Sequence, residues 1–108
     1  MNSKAIIIFC TCPDDSTARQ LAESLVQEKL AACVNITAPI TSVYRWQGKI
    51  NSDSEAMLLI KSTEAAYPRL EKRLREQHPY ELPEIIAVPV KTGLNDYLEW
   101  VEENTCTS

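Results

Sequence analysis

The chain is poor in the residues on which many active sites are built. Its 108 residues include two glycines, Gly48 and Gly93, and one histidine, His78. Two isolated glycines cannot form a glycine-rich phosphate cradle, which excludes the P-loop and dinucleotide-binding fingerprints. There is no Cys-x-x-Cys and no histidine at finger spacing, and a Cys-x-Cys pair cannot close a zinc site alone. A serine nucleophile elbow is also missing. No block of lysine and arginine stands out, and the net charge is −4, which argues against nucleic acid as a partner. No stretch approaches the length of a membrane span. The opening apolar run, Ala5 to Cys10, is too short for a signal-peptide core and no small-residue cleavage site follows it. The four cysteines, Cys10, Cys12, Cys33 and Cys106, are therefore expected as thiols in the cytoplasm. Internal repeats, low-complexity segments and linkers are absent, so residues 1–108 are expected to form one domain.

What is present is an ordinary globular composition, 44% apolar and 24% charged, with clear periodicity. Ala5 to Cys10 is short, continuous and β-branched, which predicts a strand buried on both faces. Asp14 or Asp15 then caps a helix reaching about Lys29, with Ala18, Leu21, Ala22, Leu25, Val26 and Leu30 on one face. Ala31 to Trp46 reads as a long strand in which Pro39 marks a bulge or an edge. A tight turn at Gln47-Gly48 leads into a second long strand, Ile50 to Ser62, with Met57 to Ile60 as its buried end. A second helix is predicted over Thr63 to Gln77, with Pro68 in its first turn and Ala66, Leu70 and Leu74 on its apolar stripe. Glu84 to Val90 is a further strand, with Pro89 near its end, and Asn95 caps a short last helix carrying Tyr97, Leu98 and Val101. The order βαββαβ plus a C-terminal helix predicts an α+β, ferredoxin-like fold with the first and third long runs central in the sheet. The hairpin arms exceed the usual strand length and should project beyond so small a body. Projecting strands with open edges need a partner, which predicts an oligomer.

The run His78-Pro79-Tyr80-Glu81-Leu82-Pro83-Glu84 carries the densest chemistry. Its two prolines fix φ and push His78 and Leu82 out of the helical region, so an imidazole, a phenol and two carboxylates sit on a stiff loop. Cys10 and Cys12 are two apart, so in a continuous strand both thiols point to one face. Such a pair can grip Cu(I); each cysteine read alone is equally a packed core residue. Trp46, Tyr44 and Trp100 are expected as packing anchors.

Several motifs in one order resemble the CutA family of divalent-cation tolerance proteins, over about Ile6 to Val101. They are Cys10-Thr-x-Pro13-Asp14, Glu28-Lys29-Leu30-Ala31-Ala32-Cys33-Val34-Asn35, and Ser42-Val-Tyr44-x-Trp46-x-Gly48-Lys49. Glu55 before Leu59-x-Lys61-Ser-Thr63, His78-Pro79-Tyr80-x-x-Pro83-Glu84 and Tyr97-Leu98-x-Trp100 complete the set. The resemblance implies the ferredoxin-like fold and a homotrimer built by strand pairing, similar to the trimeric nitrogen-signalling PII proteins. It also implies binding of copper or other divalent or soft cations. The metal ligands it implies are Cys10 and His78, with Gln77 where some members carry a second histidine. A glutamine oxygen is a poor ligand for a soft metal, so modest affinity is expected. Glu55, Lys61, Tyr80 and Glu84 match the family's inter-subunit cleft.

The expectation is therefore a cytoplasmic, trimeric, metal-binding protein that is not an enzyme. The alternative is a PII-like module binding a small molecule or a protein at its inter-subunit clefts. A Cys10–His78 catalytic dyad is the weakest reading. Acylphosphatases share the fold, but the first loop here, Thr11-Cys12-Pro13-Asp14-Asp15, is acidic and would repel a phosphate.

Overall fold

The computed structural model describes residues 4–105. Cys106 lies outside the described residues. The elements are β1 (Ala5–Cys12), α1 (Asp15–Gln27), β2 (Cys33–Ile36), β3 (Ile40–Trp46), β4 (Lys49–Thr63), α2 (Tyr67–Gln77), β5 (Ile86–Pro89) and α3 (Asn95–Glu103). One antiparallel sheet runs β2-β4-β1-β5, and β3 pairs with the far half of β4. The expected ferredoxin-like α+β plan is thus present, with β1 and β4 at its centre.

Strand alternation separates the two faces of this sheet. Ile6, Ile8, Cys10 and Cys12 on β1 lie beside Ala56, Leu58, Ile60 and Ser62 on β4, and all are buried. They share one core with Leu21 and Leu25 of α1 and Leu70 and Leu74 of α2. On the opposite face Ile7, Phe9, Met57 and Leu59 are only half-buried. β1 is therefore buried on one face rather than two, and Met57 to Ile60 is an alternating run rather than a continuous buried end. α3 packs against β4 and β1 and buries Val101, so part of the second face has cover within the chain.

Local chemistry sets the ends of the elements. Asp14 is the cap of α1, its carboxylate accepting from the Thr17 N–H at 2.7 Å, and that bond holds its acid below the usual range. α1 stops at Gln27, two residues short of the expected end. Pro39 breaks the long second run into β2 and β3. Gln47 and Gly48 both adopt positive φ, at 51° and 80°, which is the hairpin turn whose twist suits paired strands. The second helix begins at Tyr67, not Thr63, because Thr63 is held opposite Ala5 in the β1–β4 ladder. Pro68 does lie in its first turn. Asn95 is the first helical residue of α3 rather than its cap; Leu94 takes the cap position and its side chain makes no capping bond. The last strand is only Ile86–Pro89 and exposed throughout, because it forms the sheet edge.

The β3–β4 ribbon extends past the sheet, and the molecule measures 47 × 26 × 23 Å. Near its end Val43 and Ile50 are 68% and 64% exposed. The central ladder supplies a direct test of the core. Leu58 is fully buried, so Leu58→Ala should lower unfolding free energy by about 2–5 kcal/mol in denaturant titration. A loss below about 1 kcal/mol would show that this face of β4 is not packed against the helices.

Candidate functional site

The end of β1 is where three segments meet. Thr11 is near-buried, and its carbonyl oxygen accepts from His78 Nε2 at 2.8 Å. The Cys10 Sγ approaches the same oxygen at 3.9 Å. His78 follows α2 in extended conformation, as the proline after it requires. The residue is 8% exposed. The Tyr80 N–H can only donate, and it points at His78 Nδ1 at 3.1 Å. Nδ1 is therefore the acceptor, and Nε2 carries the proton given to Thr11. The imidazole ties the loop to β1 across 67 positions of sequence.

The expected metal donors divide in two. Cys10 and Cys12 share the helix-facing side of β1, and both are wholly buried. The neighbouring Cys12 thiol, then burial, pushes the Cys10 thiol far up, so the two sulfurs do not ionise together. His78 converges on the Thr11 carbonyl with Cys10, but both its ring nitrogens are engaged by backbone. Gln77 is turned elsewhere, its amide reaching Ser24 Oγ on α1 at 3.3 Å. Among the described residues no group of three or more His, Cys, Asp or Glu side chains is placed to hold a metal ion. The donor set fits a two-coordinate soft ion such as Cu(I) at the thiols, and does not fit a hard divalent ion needing six or more oxygens.

The expected cleft residues lie on the other side of the sheet. Glu55, 9% exposed, accepts the Tyr80 hydroxyl at 2.6 Å. Burial, then that hydrogen bond, pushes the Tyr80 phenol well above its ordinary value. The Tyr80 and His78 rings pack at 4.8 Å between centroids. Glu84 borders the same cleft, whose volume is about 810 Å³. Lys61 is not part of it within one chain. It stands six residues along β4 from Glu55, roughly 20 Å away at strand spacing, and its ammonium bonds Asn35 on β2.

Sequence reasoning missed the opposite wall. Ser42, Tyr44 and Trp46 of β3 line the cleft together with Asp53 of β4. Tyr44 donates to the Asp53 carboxylate, and that bond raises its phenol. Tyr44 and Trp46 thus border an open cavity instead of a packed anchor point. The signal was available in the turn: pairing outward from Trp46 and Lys49 sets Ser42 opposite Asp53 and Ile40 opposite Glu55.

Tyr80 gives a measurable signature. Its folded phenol titrates above the unfolded value of about 10, so its contribution to stability is complete below pH 10 and is lost as pH rises further. Ultraviolet titration should show Tyr80 among the last tyrosines to ionise. Tyr80→Phe should delete that late step and flatten the fall of stability above pH 10. Loss of an early step in place of the late one would mean that Tyr80 is not held in this buried, hydrogen-bonded position.

Comparison with known proteins agrees with this architecture. The family described as CutA1 divalent ion tolerance protein matches residues 6–104. The divalent-cation tolerance protein CutA of Thermus thermophilus is 48% identical over 99 residues, 92% of this chain and 96% of its own length. The chloroplastic protein CutA of Arabidopsis thaliana is 45% identical over 94% of this chain, which spans only 56% of that longer relative. The crystal structure of CutA1 from Oryza sativa superposes with a TM-score of 0.95 at 41% identity, covering 99% of this chain and 98% of that one. With a shared fold, and identity this high over nearly its whole length, the chain belongs to the CutA1 divalent ion tolerance family.

Proposed function

We propose that the chain works as a cytoplasmic homotrimer in tolerance of divalent cations, taking up soft or divalent metal ions, copper foremost. The relatives named for divalent-cation tolerance support the role. The observation that carries the metal reading is the placement of Cys10 and Cys12 two residues apart on one buried strand face, with His78 against the carbonyl that Cys10 also meets. Two sulfurs on one strand face suit Cu(I), and the ring of His78 would join them only by giving up one of its backbone hydrogen bonds. The free thiols Cys10, Cys12 and Cys33 suit a reducing compartment. The projecting β3–β4 ribbon, with its exposed Val43 and Ile50, supports a trimer joined by strand pairing. No catalytic step is assigned: a general base needs a free nitrogen, and both nitrogens of His78 are spent.

The cleft of about 810 Å³ favours a second reading, a PII-like module that binds a small molecule there.

Assembly is tested by light scattering, which should give about three times the 12.2 kDa chain mass, and by a melting temperature that rises with protein concentration. A monomer at micromolar concentration overturns the trimer. Metal binding is tested by Cu(I) competition titration of protein purified without a metal-affinity tag. Binding must release the Cys10 proton, so affinity should fall about tenfold per pH unit for each proton displaced as pH drops. Cys10→Ser should weaken Cu(I) binding at least tenfold, and His78→Ala should weaken it less. Equal affinity in all three proteins removes these residues from the metal site.

A further inference from the structure

The cleft between the β3–β4 ribbon and the His78–Glu84 loop has an unusual balance of groups. Its carboxylates are Asp53, Glu55, Glu81 and Glu84. The one cationic residue on its border is Arg45, which alternates to the opposite face of β3 from Ser42 and Tyr44. Both phenols are already used as donors, Tyr44 on Asp53 and Tyr80 on Glu55. What remains open is largely acceptor and negative. An anion would find little to bind there; a ligand that brings donors and positive charge would find both partners.

Glu55 shows where the charge would rest. It is nine-tenths buried, and Tyr80 satisfies only its Oε2. No buried side-chain oxygen among the described residues lacks a hydrogen-bond partner, so the unbonded Oε1 opens on the cleft rather than into the core. A carboxylate held this firmly, with one oxygen left open, is a prepared hydrogen-bond acceptor for an ammonium group. Tyr44, Trp46 and Tyr80 line the same cleft, and aromatic rings attract cations.

The spacing of the carboxylates decides the kind of cation. No three of them come close enough to share one metal ion. A volume of about 810 Å³ is also far larger than an ion needs and lies in the range of small-molecule sites. An extended organic cation satisfies separated carboxylates that a point charge cannot.

We propose that this cleft binds a small organic cation, a primary amine or diamine, with an ammonium group on Glu55 Oε1 and its aliphatic body against Tyr44, Trp46 and Tyr80. This gives a ligand class to the second reading above and rests on it, while being independent of the Cys10–Cys12 thiol pair.

The test uses the full chain and three probes of equal length: butane-1,4-diamine, butane-1,4-diol and succinate. Binding is read by titration calorimetry and by the change in Trp46 fluorescence in a Trp100→Phe background. The diamine should bind at least tenfold more tightly than the diol, and succinate should give no saturable signal. Glu55→Gln retains an acceptor for Tyr80 but removes the charge, and should weaken the diamine at least tenfold. Glu23→Gln, on the exposed face of α1 and outside the cleft, should bind it as the unaltered protein does. If the diol or succinate binds as well as the diamine, or Glu55→Gln has no effect, this proposal fails although a small-molecule cleft survives. If none of the three binds, the ligand class and the second reading fall together.

Discussion

The pairing of β1 with β4 over eight residues, from Ala5 opposite Thr63 to Cys12 opposite Ala56, is the constraint on which the other parts depend. It sets Ile8 beside Ile60 and Cys10 beside Leu58, and so builds the apolar floor on which α1 and α2 lie. Each flank of this pair carries one further short strand, β2 beside β4 and β5 beside β1. Because β4 is longer than β1, its first half continues beyond the sheet and carries β3 with it. The reach of the ribbon and the position of the cleft at its base are consequences of that difference in strand length.

The same ladder keeps two kinds of chemistry apart. Period-two alternation sends Cys10 and Cys12 into the helix-facing core and sends Thr11 and Glu55 the other way. The soft donors are thereby dry, while the carboxylates meet solvent in a cleft lined by aromatic rings. His78 is the joint between them. It stands beside the core yet fixes, through the Thr11 carbonyl and the Tyr80 N–H, the loop that forms one wall of the cleft. Its part in this arrangement is mechanical: an imidazole with both nitrogens engaged holds a loop in place.

Much of the fold was legible because it follows from local periodicity and local stops. The 3.6-residue stripe of α1, the turn at Gln47-Gly48 and the break at Pro39 are each set by neighbours a few positions away. The misplaced boundary at Thr63 has a different cause. Thr63-Glu64-Ala65-Ala66 reads as a helix start, but a ladder position opposite Ala5, 58 residues earlier, holds Thr63 extended. The edge strand Ile86–Pro89 was also misread in length: it pairs only with Ile6 to Phe9 and leaves the last three residues of β1 without a partner on that side.

By itself the sequence determined the order of elements, the stiff loop between Pro79 and Pro83, the thiols on one strand face and, through the turn, the register of the ribbon. Those features need only backbone preferences and contacts close in sequence. Tertiary structure alone decided which side chains share a site. The Tyr80–Glu55 bond spans 25 positions and the His78–Thr11 bond 67, and neither pairing leaves a periodic trace. Lys61 has the same side-chain type that an acidic cleft would attract, yet lies six residues of extended strand away and bonds Asn35 instead. Proximity across the sheet depends on strand order and strand length, and these are settled only when the whole core packs.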